Sequence, residues 1–314
     1  MHIDPFIVLG SAIIGLLVGM TGAGGGALMT PMLILLFGVT PSAAISSDLV
    51  AAVVMRPFGA GVHLRAGTVN VRLVRWMVLG SVPAAFLGAY LLHVLGNSKS
   101  ATQHIETVLG VALLLGASAM ALRFVLDRRS GQNRLGVIHD IQPRPLATIA
   151  IGIVGGVIVG MTSVGSGSLM IVLLLFVYPT IGANQLVGTD LTQAVPLTLA
   201  AALGALAFGH VELNVTGSLI IGSVPAVLLG SMLSSTVPDR YVRPAIAFVI
   251  FASGLKYVGL QTTALGWTLC ATLFAAGAGW LVVQRPWRAW AAPPDASELL
   301  RDQEPHELVG DREI

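Results

Sequence analysis

Long apolar runs follow one another along this chain, at about residues 5–20, 26–38, 43–62, 73–95, 101–125, 146–162, 167–179, 183–208, 214–236, 241–258 and 262–284. Few folds can accommodate eleven such runs. In lipid each backbone N–H and C=O must be satisfied within the protein, as a helix satisfies them within its own segment. The expectation is an all-α, polytopic transmembrane bundle. Only 10% of the residues are charged, against about 25% in a soluble domain, so too little polar surface exists to cover these runs in water. The 37 glycines fit helices that approach closely in a membrane.

Two halves repeat at an offset of 141 to 142 residues. Gly19-Met-Thr-Gly-Ala-Gly-Gly-Gly-Ala-Leu-Met29 aligns with Gly160-Met-Thr-Ser-Val-Gly-Ser-Gly-Ser-Leu-Met170, Gly80-Ser-Val-Pro-Ala84 recurs as Gly222-Ser-Val-Pro-Ala226, and Asp48-Leu49 recurs as Asp190-Leu191. Each half contributes five apolar segments. An odd number predicts that the second half enters the membrane upside down, as an inverted repeat.

Positive charge agrees with that orientation. The short loop of the first half carries Arg65, Arg72 and Arg75, while its counterpart Gly209–Asn214 has no Lys or Arg. With the N-terminus outside, the positive-inside rule puts these arginines, the basic stretch Arg123–Arg144, Arg240/Arg243 and Arg285/Arg288 in the cytoplasm of a cell whose inner membrane the chain spans many times. The organisation predicted is a first repeat over 1–125, a cytoplasmic linker over 126–145, a second, inverted repeat over 146–260, an extra helix over 261–285 and a tail over 286–314. Seven of the fifteen acids fall in the last twenty residues, so the tail reads as a disordered, cytoplasmic extension. The first apolar run has no basic residue before it, and a cleaved signal peptide is not expected.

Segments 26–38 and 167–179 are thirteen residues each, about 20 Å of helix, against a hydrocarbon core of about 30 Å. Each can pair with the segment before it as a hairpin that turns back within the membrane, its glycine-rich stretch forming the tip. Two full spans would have the same parity, so both arrangements preserve the orientation.

Those tips hold the first candidate site: Thr21, Gly22, Gly24, Gly25 and Gly26 in one half, and Ser163, Gly165, Ser166, Gly167 and Ser168 in the other. A short helix beginning at such a tip aims free N–H groups and a positive dipole end ahead of it, and two tips converging from opposite faces would form an anion site. The alternative is that the glycines merely permit close packing. Asp48 and Asp190 hold matching positions near the start of the third and eighth segments. A carboxyl group within the membrane is a functional candidate by default, and desolvation disfavours its charged form, so either could load and release a proton. Ser46-Ser47-Asp48 and Gly188-Thr189-Asp190 equally resemble helix N-caps. Arg56, eight residues after Asp48 and about 12 Å further along the same helical face, could bind an oxyanion bidentately or serve as an internal counter-ion. Gln193, with Thr192 and Thr198, offers neutral hydrogen-bonding groups near Asp190.

Other chemistries are excluded or left without support. One cysteine, Cys270, permits no disulfide framework, the scattered histidines form no metal cluster, no Gly-Lys-Ser/Thr phosphate loop occurs, and no basic-aromatic run suggests nucleic acid. No cofactor is implied. The partners expected are a small anion and the lipid bilayer, with the oligomeric state open. An intramembrane aspartyl protease using Asp48 and Asp190 would need the two carboxylates to share a proton, and an uncoupled anion channel would need neither acid.

The paired glycine-serine motifs, Leu186-Val-Gly-Thr-Asp-Leu191 and the duplicated Gly-Ser-Val-Pro-Ala make the chain resemble the TauE/SafE family of sulfite exporters up to about Gly259. The resemblance implies a secondary transporter that exports sulfite, a sulfonate or a related sulfur-containing anion. The family's motif falls on Thr21, Gly22, Gly24 and Gly26, and on Ser163, Gly165, Ser166 and Gly167.

Overall fold

In a computed structural model of the chain, residues 3–21, 25–96, 101–129, 142–167, 169–179, 181, 183–233, 239–261, 263–272 and 274 are described. They form α1 (Pro5–Thr21), α2 (Gly26–Phe37), α3 (Pro41–Arg65), α4 (Val71–Gly96), α5 (Ala101–Arg129), α6 (Pro145–Thr162), α7 (Leu169–Val177), α8 (Ala183–Phe208), α9 (Leu213–Leu233) and α10 (Asp239–Tyr257). No β-strand occurs among the described residues; a single isolated bridge joins Gly165 and Gly167. Six helices, α3, α4, α5, α6, α8 and α9, are long and apolar enough to cross a membrane. Residues such as Phe6, Leu36, Leu146, Phe176 and Met232 project apolar side chains outward, which suits lipid rather than water. The protein is a multi-pass, all-helical membrane protein.

Helix ends follow local chemistry. Pro41 and Pro145 begin α3 and α6 at the position where a missing N–H costs nothing. Gly38, at φ 65, ends α2 by donating its N–H to the Leu33 carbonyl. The helix α5 continues through Arg129, into the stretch expected to be linker, and residues 130–141 lie outside the described ones. Residues 263–272 are helical and belong to a second compact unit, Thr263–Ile314; the rest of the eleventh segment and the acidic tail lie outside the described residues.

Within the first unit, Met1–Thr262, each half builds its partner's core. Gly152, Gly156 and Gly160 of α6 lie against the backbone of Met77, Ser81 and Ala85 of α4, and Gly80 and Gly88 reciprocate against Ile149 and Val157. The same contacts recur between α1 and α9: Gly15 on Ser223, Gly222 on Val8, Gly230 on Leu16. A Cβ at any of these would meet backbone, so glycine is what lets the axes come this close. Numbers rise together on both members of each pair, so α4 runs parallel to α6 and α1 parallel to α9. The apolar cores match as well. Leu73, Met77, Ala85, Met170 and Leu174 in one cluster correspond to Val215, Leu219, Val227, Met29 and Leu33 in another.

Candidate functional site

The second tip is irregular backbone buried in protein. Ser163 ends α6 in the left-handed region, at φ 59 and ψ −1, with its N–H bonded to the Val159 carbonyl; Gly165 and Gly167 follow at φ 120 and 88. Only glycine adopts such angles without steric cost, which explains two of these three positions and marks Ser163 as the exception. Leu169 and Met170 donate their N–H groups to the Gly165 carbonyl, which starts α7 two residues later than the apolar run predicts. Every residue from Thr162 to Gly167 is buried, as non-helical backbone at membrane depth must be unless it lines a wet cavity.

The two tips meet. Gly26, the first residue of α2, lies directly against the carbonyl and hydroxyl of Ser163. Gly25 neighbours Met55 of α3, one residue before Arg56. Gly22, Gly24 and Ser168 lie outside the described residues, and of Thr21 only the backbone, at the end of α1, is described.

Asp48 and Asp190 are buried, each 1% exposed, and both lie seven residues inside their helices, because α3 starts at Pro41 and α8 at Ala183. That excludes the N-cap alternative for both; the cap position of α3 belongs to Thr40. Their surroundings differ. The Thr30 hydroxyl of α2 donates to Asp48 Oδ2 at 3.0 Å. The Ser163 side chain also faces the Asp48 carboxyl, yet its Oγ is buried with no partner at hydrogen-bond geometry. Asp190 Oδ1 accepts from Gln193 Nε2 at 3.3 Å. Gln193 is further tied to Ser81 Oγ at 3.2 Å and Met170 Sδ at 3.0 Å, so its amide cross-links α8, α4 and α7. The two acids thus keep different company: Asp48 meets hydroxyls, and Asp190 meets an amide.

Arg56 completes the group. Its guanidinium lies within electrostatic reach of both carboxylates, while Nη1 and Nη2 are buried with no hydrogen-bond partner. Thr198, its counterpart in the second half, spends its hydroxyl on the carbonyl of Ala194 at 2.6 Å. Buried cationic N–H groups without acceptors are costly, and a ligand with two oxygens would satisfy both nitrogens of the fork. Among the described residues no cluster of three or more His, Cys, Asp or Glu is placed to hold a metal ion.

Sequence reasoning missed Thr30 and the roles of Ser47 and Thr189. Ser47 Oγ accepts the Glu212 N–H at 3.1 Å, and Thr189 Oγ1 accepts the Asn70 N–H at 3.0 Å. Each hydroxyl thus holds the residue preceding a helix of the opposite half, α9 or α4. The signal was available: Ser47 and Thr189 are separated by the repeat offset, as are Asn70 and Glu212. Ser47→Ala and Thr189→Val are each expected to lower stability by about 1 kcal/mol by orphaning a part-buried N–H, read as a lower unfolding midpoint of the purified protein; Thr189→Ser should restore it.

A family model described as Sulfite exporter TauE/SafE matches residues 7–257. Among curated proteins, Probable membrane transporter protein YjnA of Bacillus subtilis (strain 168) is 39% identical over 253 residues, covering 80% of this chain and 98% of that protein. Two further Bacillus subtilis proteins with the same description are similar: YdhB, 22% identical over 251 residues (79% of this chain, 98% of its own), and YunE, 24% over 270 residues (81% and 97%). No solved structure matches.

Proposed function

From its membership of the TauE/SafE sulfite exporter family, which makes this chain a membrane transporter, we propose a secondary transporter that exports a small sulfur-containing anion, sulfite or a sulfonate, with cation coupling through Asp48 and Asp190. The observation that carries this reading is Arg56, whose Nη1 and Nη2 are buried without a hydrogen-bond partner, within electrostatic reach of two acids. A planar, doubly donating cation suits an oxyanion. The tips meet nearby, Gly26 against Ser163, and Gly25 lies beside Met55, the residue before Arg56.

Charge arithmetic supports coupling. With all three groups ionised, Arg56, Asp48 and Asp190 sum to −1. A monovalent anion would bring the sum to −2 inside a low-dielectric region, where each uncompensated charge costs several kcal/mol. Cations must therefore enter with the anion, and protons on the aspartates are the simplest choice.

Parallel packing of α4 with α6 and of α1 with α9 supports the inverted repeat. If successive helices alternate in direction, α6 opposes α1 only when it runs parallel to α4. On this reading the chain lies in the cytoplasmic membrane with the N-terminus outside, and α2 and α7, about 18 and 14 Å long, are the returning arms of re-entrant hairpins.

The test is efflux of sulfite and of a sulfonate from vesicles containing the protein, with and without an imposed pH gradient. The initial rate should change several-fold with the gradient, and Asp190→Asn should remove the change. Efflux indifferent to the gradient would take protons out of the mechanism. Anion current that persists in Asp48→Asn and in Asp190→Asn would make the protein a channel.

A further inference from the structure

We propose that Asp48, Thr30 and Ser163 form a binding site for a small monovalent cation, sodium above others, where the tips of the two halves meet. The inference rests on the transport reading and deepens it by naming one of the counter-charges. Three side chains from three helices or helix ends supply oxygen alone: the Asp48 carboxylate, the Thr30 hydroxyl 3.0 Å from it, and the Ser163 hydroxyl facing the same carboxyl. All are buried, at 1%, 0% and 1% exposure. Hard cations take such oxygen sets and shed their water to enter them.

Ser163 supplies a further sign of a ligand. Its Oγ is buried and, apart from the Asp48 carboxyl it faces, meets no polar group at hydrogen-bond geometry. Buried polar groups are normally satisfied. Ser163 also terminates α6, so the last carbonyls of that helix bring the negative end of its dipole to the site. Broken helices in transporters present their C-terminal ends to cations in this manner.

The repeat provides an internal comparison. At the offset of 141, Thr30 corresponds to Ile171 and Ser163 to Gly22, so the second half has neither hydroxyl at the matching positions. Asp190 instead accepts from the Nε2 end of the Gln193 amide, whose oxygen is turned to the Ser81 hydroxyl. The acids therefore divide the work: a metal cation at Asp48, a proton at Asp190. Together they raise the sum for Arg56, Asp48 and Asp190 from −1 to +1, and one monovalent anion on Arg56 then neutralises the site.

The experiment is thermal unfolding of the purified full-length protein, without any sulfur anion, in NaCl, KCl and choline chloride at equal ionic strength. Sodium should raise the midpoint saturably, beyond the other two salts, by linkage to the folded state. Asp190→Asn should keep that increment and Asp48→Asn lose it. Thr30→Val should weaken apparent sodium affinity about tenfold or more through loss of one oxygen, and Thr30→Ser should restore it. Ser163→Gly separates ligation from folding: glycine accepts φ near 59 freely, so the sodium-free midpoint should rise while the sodium increment is lost. Equal midpoints in sodium and choline, or a sodium increment that survives in Asp48→Asn or in Ser163→Gly, would overturn the site. Because no anion is present, that outcome leaves the efflux result standing on its own.

Discussion

Arg56→Gln is expected to reduce anion transport at least about 100-fold while the protein still folds. The loss follows from two removed charge-assisted hydrogen bonds, each worth about 1.5–3 kcal/mol, against about 1.4 kcal/mol per factor of ten. Without the guanidinium the two acids with their sodium ion and proton sum to zero, and no net positive charge is left to hold the anion. Arg56→Lys keeps the charge and loses the planar fork, so it should recover part of the rate with a KM raised about tenfold. Initial rates against substrate concentration in vesicles separate the two variants. Arg56→Gln with an unchanged KM would reassign Arg56 to the internal counter-ion role, serving Asp48 and Asp190 rather than the substrate. Thr198, in the matching position, bonds to its own helix, so Thr198→Val should be nearly silent in the same assay and marks how far the halves have diverged.

The repeat register, the short α2 and α7 and the identity of the buried charges were all legible in the sequence, because each depends on periodicity or on a residue type that lipid penalises. What depended on distance in three dimensions was not. Asp48 and Asp190 resembled caps because Ser, Thr and Gly precede them, but Pro41 and Ala183 start their helices two turns earlier, and a propensity for capping yields to a helix that has already begun. Gln193 can be read for substrate or for packing from its sequence position, and only the fold shows its amide reaching Ser81 and Met170 of other helices as well as Asp190. Thr30 carried no signal at all, since one hydroxyl in an apolar helix commonly bonds its own backbone. Its partnership with Asp48 exists because α2 turns back along α3. The meeting of Gly26 with Ser163 gives the duplicated motif a steric reason as well: the tips must be small where they touch.

That contact sets the second large effect. Gly26→Ala places a methyl group onto the Ser163 carbonyl, 2.6 Å from Ser163 Oγ and 2.7 Å from its carbonyl carbon. Backbone cannot rotate away as a side chain can, and Ser163 is already held at φ 59 by its bond to Val159. Overpacking of this kind costs about 1–3 kcal/mol. The displacement would also separate Thr30 and Ser163 from a common centre at Asp48, so transport should fall further than stability alone explains. Gly61→Ala is the matched control, on α3 with open space around its Cα and an ordinary helical backbone; it should gain slightly in stability from helix propensity and transport normally. The comparison needs the unfolding midpoint and the efflux rate of both variants at equal protein in the membrane. If Gly26→Ala transports like Gly61→Ala, the two tips are spacers that separate freely during the cycle, and the closed junction is not where the anion and its counter-charges are gathered. If it loses transport with only a modest fall in midpoint, the junction itself is the working part, and the glycine is there because nothing larger lets the two halves share one site.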